Sequence, residues 1–168
     1  MPKKHTHPCA IAATLNILGD RWSLLIIREA FYGATRFGEF LTNTGISRNL
    51  LTERLNQLVE DGVMEKIPFA DRGTSYAYQL TEKGRALDTI LMAMSDWGSR
   101  HVYGVGNEPV RMMDETTGGR VSGLLPVTSE GTPVSRDKIR LELGPGGDGR
   151  TRARLSRAPP HPFSTPEN

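Results

Sequence analysis

Residues 45–62, GISRNLLTERLNQLVEDG, constrain the fold more than any other stretch because they encode a helix with one consistently apolar face. Leu51, Leu55 and Leu58 recur at i, i+4 and i+7, the spacing that places side chains on one side of an α-helix. We expect these leucines to pack against a core and to hold the opposite face of the helix toward solvent.

The opposite face of this helix carries an unusual set of polar residues. They suit base edges and phosphates, whereas an ordinary surface helix presents mostly lysine and glutamate. Ser47 is the expected N-cap, without a glutamate three residues later to complete a capping box, and Gly62 is expected to end the helix. The outward residues are Arg48, Asn49, Thr52, Glu53 and Asn56.

Three helical patterns precede this helix. The first, CAIAATLNILG, places Ile11, Leu15 and Leu18 on one face. The second, DRWSLLIIREAFYG, begins with Asp20 as the expected N-cap and is apolar nearly all round, which is typical of a central core helix. The third is a short helix, RFGEFL, and a TNTG turn follows it.

A β-hairpin and a long helix are predicted next. Apolar residues alternate at period two on both sides of the polar turn DRGTS, which indicates a hairpin over residues 63–80. Pro68 marks the first strand as an edge strand. Thr81 is the expected N-cap of one long helix, EKGRALDTILMAMSDWGSRH, with Gly84 as a weak point. The apolar stripe of that helix consists of Leu87, Ile90, Leu91, Met94 and Trp97.

This order of elements is that of a winged helix-turn-helix, so the predicted fold class is mainly α (α+β) with a β-hairpin wing and a long C-terminal helix. In that plan the second helix of the motif lies in the DNA major groove, and the hairpin reaches the backbone or the minor groove. Alone, a polar helix face is more often a solvated surface, but the hairpin and the short preceding helix favour DNA binding. The candidate DNA-binding residues are Arg36, Ser47, Arg48, Asn49, Thr52, Asn56, Arg72, Thr74 and Ser75.

The composition changes after about residue 104. We assign residues 1–104 to the winged domain and residues 105–144 to a small appendage with β-like runs VRMM, VSGLLPV and IRLEL. Residues 145–168 contain five prolines and four arginines without an apolar period, and we expect a disordered basic tail. Its charge would add nonspecific attraction to DNA, although a merely solvated tail is the more common case.

Several of these motifs together resemble one family. A cysteine near the start, LGDRWSLLIIRE, RFGEF, GISRNLLTERLNQLVEDG, YQLTEKGRAL and WG are similar to HxlR-type bacterial transcriptional regulators over roughly residues 9–98. The resemblance implies a homodimer on an inverted-repeat operator, and we expect the protein to act as a repressor. It also implies pairing through the first and last helices, although the stripe residues also suit each monomer's own core. The candidate interface residues are Ile11, Leu15, Leu87, Leu91, Met94 and Trp97.

Some members of that family carry a C-terminal extension with paired cysteines that resembles a zinc ribbon. In this chain IRLELGPGG matches the end of such an extension, while VTSEGTPV lies where a cysteine pair is expected. We therefore expect a ribbon-like appendage that packs without metal.

Cys9 lies where several members of the family carry a redox-sensing cysteine. The basic residues of the preceding KKHTHP segment favour a thiolate, and the helix that follows could bury the side chain. Two interpretations stay open, a sensor of oxidants or electrophiles and an inert, half-buried residue.

Nothing in the sequence favours an enzyme, a cofactor or a metal site. We find no nucleophile–base pair, Gly-rich phosphate loop or paired carboxylates, and HTHPC is a poor metal site at a chain terminus. The single cysteine excludes an internal disulfide and a multi-cysteine zinc site.

The expected partners are double-stranded DNA, a second copy of the chain and a small-molecule or electrophile effector. A net charge of +2 is too small to argue for DNA by itself, so the prediction depends on where the charges lie. No run reaches the roughly 18 apolar residues of a membrane span, and we expect a cytoplasmic protein. The alternative function is a winged-helix module that binds another protein and no DNA.

Overall fold

The computed structural model describes residues 5–68 and 76–163. This part of the chain forms two compact units, one of residues 14–95 and one of residues 5–13 with 96–163. It is mostly helical, with one two-stranded antiparallel hairpin, which confirms the predicted mainly α (α+β) class and its hairpin.

Four helices form the first half of the chain, and local signals set their ends. A Cβ on Gly19 would lie 2.3 Å from the Leu15 carbonyl oxygen, so only glycine fits where the first helix stops. The Asp20 carboxylate accepts hydrogen bonds from the N–H groups of Trp22 (2.8 Å) and Ser23 (3.0 Å) at the start of the second helix, although Trp22, and not Asp20 as expected, occupies its N-cap position. The helices are α1 Ala10–Leu18, α2 Ser23–Phe31, α3 Phe37–Thr44 and α4 Arg48–Glu60.

The hairpin consists of β1 (Met64–Pro68) and β2 (Tyr76–Leu80), paired from Met64 opposite Leu80 to Pro68 opposite Tyr76. Its other edge contacts the segment before α3, because the Tyr78 N–H donates to the Thr35 carbonyl at 2.8 Å. The predicted hairpin is confirmed in these strands. Its DRGTS turn lies outside the described residues.

The prediction of one long helix after the hairpin is wrong. The chain forms α5 (Glu82–Arg85), a turn, α6 (Asp88–Gly98) and a π-helical turn, Ser99–Tyr103. Thr81 does cap α5, since its side chain accepts from the Gly84 N–H at 3.1 Å. Gly84 is buried against the Val63 carbonyl, and this packing occupies the first helical turn before the chain redirects into α6.

The core of residues 14–95 forms where α2, α3, α4 and the hairpin meet. Its fully buried side chains include the three leucines of α4, which confirms the predicted orientation of that helix. The largest of these side chains are Phe40, Ile26, Ile27, Leu51, Leu55, Leu58, Met64 and Val63.

The appendage contains no extended strand among residues 105–144, contrary to the β-like runs predicted there. Only two isolated bridges occur there, Met113 with Arg120 and Val127 with Pro133. Glycines with positive φ, such as Gly118 (φ 67°) and Gly131 (φ 83°), turn the chain back before a strand can lengthen.

An ion cluster holds part of this appendage together. The buried Glu108 carboxylate lies 3.0 Å from both Arg111 and Arg120 and accepts from the Gly106 N–H at 2.6 Å. Its own backbone N–H, then that of Gly106 and the two arginine charges hold the pKa of Glu108 below its ordinary value.

The composition of the tail predicted disorder over residues 145–168, but part of this segment is helical. Gly149–Leu155 forms α7, and the Asp148 side chain caps it by accepting from the Thr151 N–H at 2.8 Å. The prediction considered the missing apolar period and overlooked a local N-cap that can start a helix without one.

Candidate nucleic-acid interface

The polar face of α4 faces solvent because the opposite face of the helix is packed into the core. Leu51, Leu55 and Leu58 have no exposed surface, and the helix therefore cannot rotate without leaving the core. The side chains on the other side are all exposed: Arg48, Asn49, Thr52, Glu53 and Asn56.

Ser47 occupies the N-cap position of α4, but its side chain makes no capping hydrogen bond. The buried Ile46 anchors the chain just before it. Because Ser47 leaves first-turn N–H groups uncapped, the start of α4 retains donors of the kind that bind phosphate at helix N-termini.

Local contacts orient two side chains of this face. The Arg48 guanidinium lies over the Phe37 ring, 5.5 Å from its centroid, a cation–π contact between α4 and α3. The Thr52 hydroxyl donates to the Arg48 carbonyl at 3.0 Å, which leaves its oxygen as an acceptor and its methyl group free to touch a base.

Arg54 is a residue that the sequence analysis missed. It lies 3.1 Å from the Glu53 carboxylate and 3.7 Å from that of Asp20, with its own side chain only 22% exposed. It therefore partly neutralises the one acidic group on the polar face. No sequence spacing signals the contact with Asp20, because that residue precedes α2.

Arg36 and the hairpin lie side by side. Arg36 is exposed and forms an isolated bridge with Ala77 of β2. Glu39 accepts from the backbone N–H groups of Arg36 and Thr35 at 2.8 Å each, and these two bonds lower the pKa of Glu39. The backbone at Arg36 is therefore fixed by the Glu39 side chain on one side and by the bridge to Ala77 on the other.

Lys66 of β1 is a second cation that the sequence analysis missed. Its ammonium group lies over the Tyr76 ring, 4.0 Å from the centroid, and 5.9 Å from that of Tyr78. The period-two alternation used to predict the hairpin also puts Lys66 opposite Tyr78, and that register was the available signal. The predicted wing-tip contacts Arg72, Thr74 and Ser75 lie outside the described residues.

The predicted dimer residues differ in exposure. Leu87 and Leu91 are partly buried against the core of their own chain, which fits the alternative left open for the stripe. The others are exposed by half or more: Ile11, Leu15, Met94 and Trp97.

Cys9, directly before α1, is a half-buried free thiol. The Ala12 backbone N–H, with smaller contributions from the Ile11 N–H and the Arg154 side chain, lowers the pKa of Cys9 against the opposing effect of desolvation. Arg154 comes from α7, so the thiol and the tail helix are neighbours in space.

The described residues contain neither a cluster of metal ligands nor a single helix that could span a membrane. Among residues 5–68 and 76–163, no three His, Cys, Asp or Glu side chains gather as a metal site would require. No single described helix has the length and apolar character of a membrane span; α1 and α2 meet those criteria only as a pair bent by 80°.

Comparisons with known proteins agree on one class. The family model described as HxlR-like helix-turn-helix matches residues 17–104. An HTH-type transcriptional regulator of Mycobacterium tuberculosis, Rv3095, is 34% identical over 137 residues, which are 82% of this chain and 87% of the relative.

Solved structures are similar as well. PA1607, assigned as a transcription factor, aligns with a TM-score of 0.70 and 39% identity over 80% of this chain and 94% of its own. The redox regulator HypR in its oxidised form aligns with a TM-score of 0.51 and 31% identity over 54% of this chain and 94% of its own. Relatives and fold are those of transcription regulators and not of enzymes.

Proposed function

Because the chain belongs to the HxlR-like helix-turn-helix family of transcriptional regulators, we propose that it is a repressor that binds an inverted-repeat operator as a homodimer. The observation that carries this proposal is α4, whose leucines are fully buried while its Arg, Asn and Thr side chains are exposed. Such a regulator acts on the chromosome, so we place it in the cytoplasm.

In the proposed complex the N-terminal half of α4 enters the major groove. Arg48 and Asn49 suit guanine and adenine edges, and Thr52 suits a phosphate or a thymine methyl group. Ser47, Arg36 and the wing tip hold phosphates, and Lys66 joins them because its charge lies on the same hairpin.

Fluorescence anisotropy with a duplex from the region upstream of its own gene tests the proposal. Asn49→Ala should cost about 1–3 kcal/mol of operator affinity and relax preference at one base pair. Asn107→Ala, which removes an exposed asparagine outside the winged domain, is the matched control and should leave affinity unchanged. Equal affinities for Asn49→Ala and the unsubstituted chain would refute the groove assignment.

Salt dependence separates this proposal from the protein-interaction module. Operator affinity should fall steeply between low and moderate salt, because each neutralised phosphate releases counterions. A module that binds only protein would show no duplex affinity at any salt concentration.

The dimer rests on the exposed apolar side chains of α1 and α6. Met94→Glu should produce monomers in analytical ultracentrifugation, because an unpaired carboxylate would be buried in the interface. Thr89→Glu adds the same charge at an exposed polar site on α6 and serves as the control. A dimer that survives Met94→Glu unchanged would contradict the assignment.

We further propose that Cys9 makes the regulator responsive to oxidants or electrophiles. Its lowered pKa favours the reactive thiolate, and the likeness to the redox regulator HypR supports the same role. Oxidised protein should release the operator or form a dimer on a nonreducing gel, and Cys9→Ser should do neither. Unchanged binding and migration after oxidation would remove this part of the proposal.

A further inference from the structure

The C-terminal segment concentrates positive charge on one small helix. Residues 145–163 contain four arginines against one aspartate, an excess larger than the +2 of the whole chain. All four arginine side chains are exposed: Arg150, Arg152, Arg154 and Arg157. Within the described residues, none of them lies within ion-pair distance of a carboxylate.

Three of these arginines point the same way. Arg150 and Arg154 are one helical turn apart on α7, at i and i+4, and Arg157 follows in the turn just after the helix. They line one open concave surface whose remaining members, Ala153 and Ala158, are small. A polyanion can therefore approach the guanidinium groups without meeting a bulky side chain.

This surface, the α7 arginine face, is held in place by contacts of α7 with its N-cap and with the segment before α1. Asp148 caps α7, and the Thr151 hydroxyl donates to the Pro8 carbonyl at 3.3 Å. Arg154 also contacts the Cys9 thiol. Ordered arginines lose less conformational entropy on binding than arginines on a disordered tail.

We infer that the α7 arginine face binds the phosphates of duplex DNA and is a second DNA contact outside the winged domain. Guanidinium groups match phosphate oxygens in bidentate geometry, and the net positive charge of this segment attracts the DNA backbone regardless of sequence. The inference rests on the proposed DNA-binding function, and DNA is the polyanion that such a regulator meets.

The test compares full-length variants in a salt titration with operator and unrelated duplexes. Arg150→Gln, Arg154→Gln and Arg157→Gln together should weaken binding to both duplexes alike. The log–log salt slope should fall in magnitude by about 3 per protomer, roughly one for each phosphate that the variant no longer neutralises. Arg152→Gln, on the opposite side of α7, should leave the slope unchanged.

Charge-retaining changes separate electrostatics from folding. The corresponding triple lysine variant should keep the salt slope even if α7 loosens, whereas a role confined to packing would weaken binding in both triple variants. Because Arg154 contacts Cys9, the titrations are run with Cys9→Ser in every variant.

The outcomes distinguish this inference from the proposed function. Duplex affinity in the unsubstituted chain with the same slope in the triple glutamine variant would overturn only the role of α7. Poly-glutamate is titrated alongside the duplexes; if the triple glutamine variant loses poly-glutamate binding but keeps its DNA salt slope, the face binds acidic proteins and the inference is overturned. An unsubstituted chain that binds no duplex would overturn both proposals.

Discussion

Gly84→Ala should destabilise the protein although alanine is the better helix former. A Cβ on Gly84 would lie 2.1 Å from the Val63 carbonyl oxygen and 3.1 Å from Leu80 Cδ2. Ordinary contacts of carbon lie at about 3.5–4.0 Å, so the backbone must separate by about 1.4 Å or more. The clash is with backbone, and no side-chain rotation can relieve it.

The magnitude follows from what the Val63 carbonyl does. It accepts a hydrogen bond from the Thr81 N–H at 3.1 Å, whereas the single Thr81 hydroxyl proton has a nearer acceptor in the Gly62 carbonyl at 2.7 Å. Breaking the Val63 bond costs about 1 kcal/mol, and overpacking adds about 1–3 kcal/mol. Alanine returns about 1 kcal/mol of helix propensity, which leaves a destabilisation of about 1–3 kcal/mol.

Gly98→Ala is the matched control, because Gly98 is also helical (φ −63°, ψ −40°) and nothing lies within 4 Å of its added Cβ. We expect it to stabilise the protein by about 0.5–1 kcal/mol. Urea unfolding followed by far-UV circular dichroism measures both variants. A Gly84→Ala variant as stable as the unsubstituted chain would refute the reasoning about the Val63 carbonyl.

Three further predictions concern the core and two titrating groups. Leu55→Ala should cost about 2–5 kcal/mol in urea unfolding, because Leu55 is fully buried; a cost under about 1 kcal/mol would contradict its place in the core. Backbone N–H groups and then Arg154 lower the pKa of Cys9, so the rate of its alkylation by iodoacetamide should increase at a lower pH than for a free thiol. Arg154→Gln should shift this increase to higher pH; an unchanged pH profile would show that Arg154 does not lower the pKa of Cys9. Backbone N–H groups, foremost that of Glu108 itself, and two arginines lower the pKa of Glu108 in the folded protein. The ionised Glu108 carboxylate therefore stabilises the fold fully above the unfolded pKa of about 4.3, and this stabilisation is lost as the pH falls through the lower folded pKa. Glu108→Gln should remove this acid dependence from unfolding curves, and curves with the same dependence would show that other groups cause it.

Local patterns were sufficient for much of the winged domain. The leucine spacing of α4, the stop at Gly19 and the hydrogen bond from Trp22 to Asp20 before α2 concern neighbours within a few residues, which is the range that sequence patterns cover. The hairpin was readable for the same reason, because alternation at period two is a local property. The polar face of α4 follows directly, since burying one side of a helix exposes the other.

Interactions between distant segments were not readable in that way. The long helix predicted after Thr81 failed because its first turn packs on Val63, an interaction that periodicity does not encode. Arg54 acquires its position from Asp20, which precedes α2.

The sequence by itself therefore determined which elements form and which faces they bury, because backbone propensity and hydrophobic period act over a few residues. Only the tertiary structure decided where α5 gives way to α6, that Arg54 lies between Glu53 on the polar face of α4 and Asp20, and that α7 carries its arginine face beside Cys9. These features depend on side chains and carbonyl groups from separate segments, which meet only after the chain has folded.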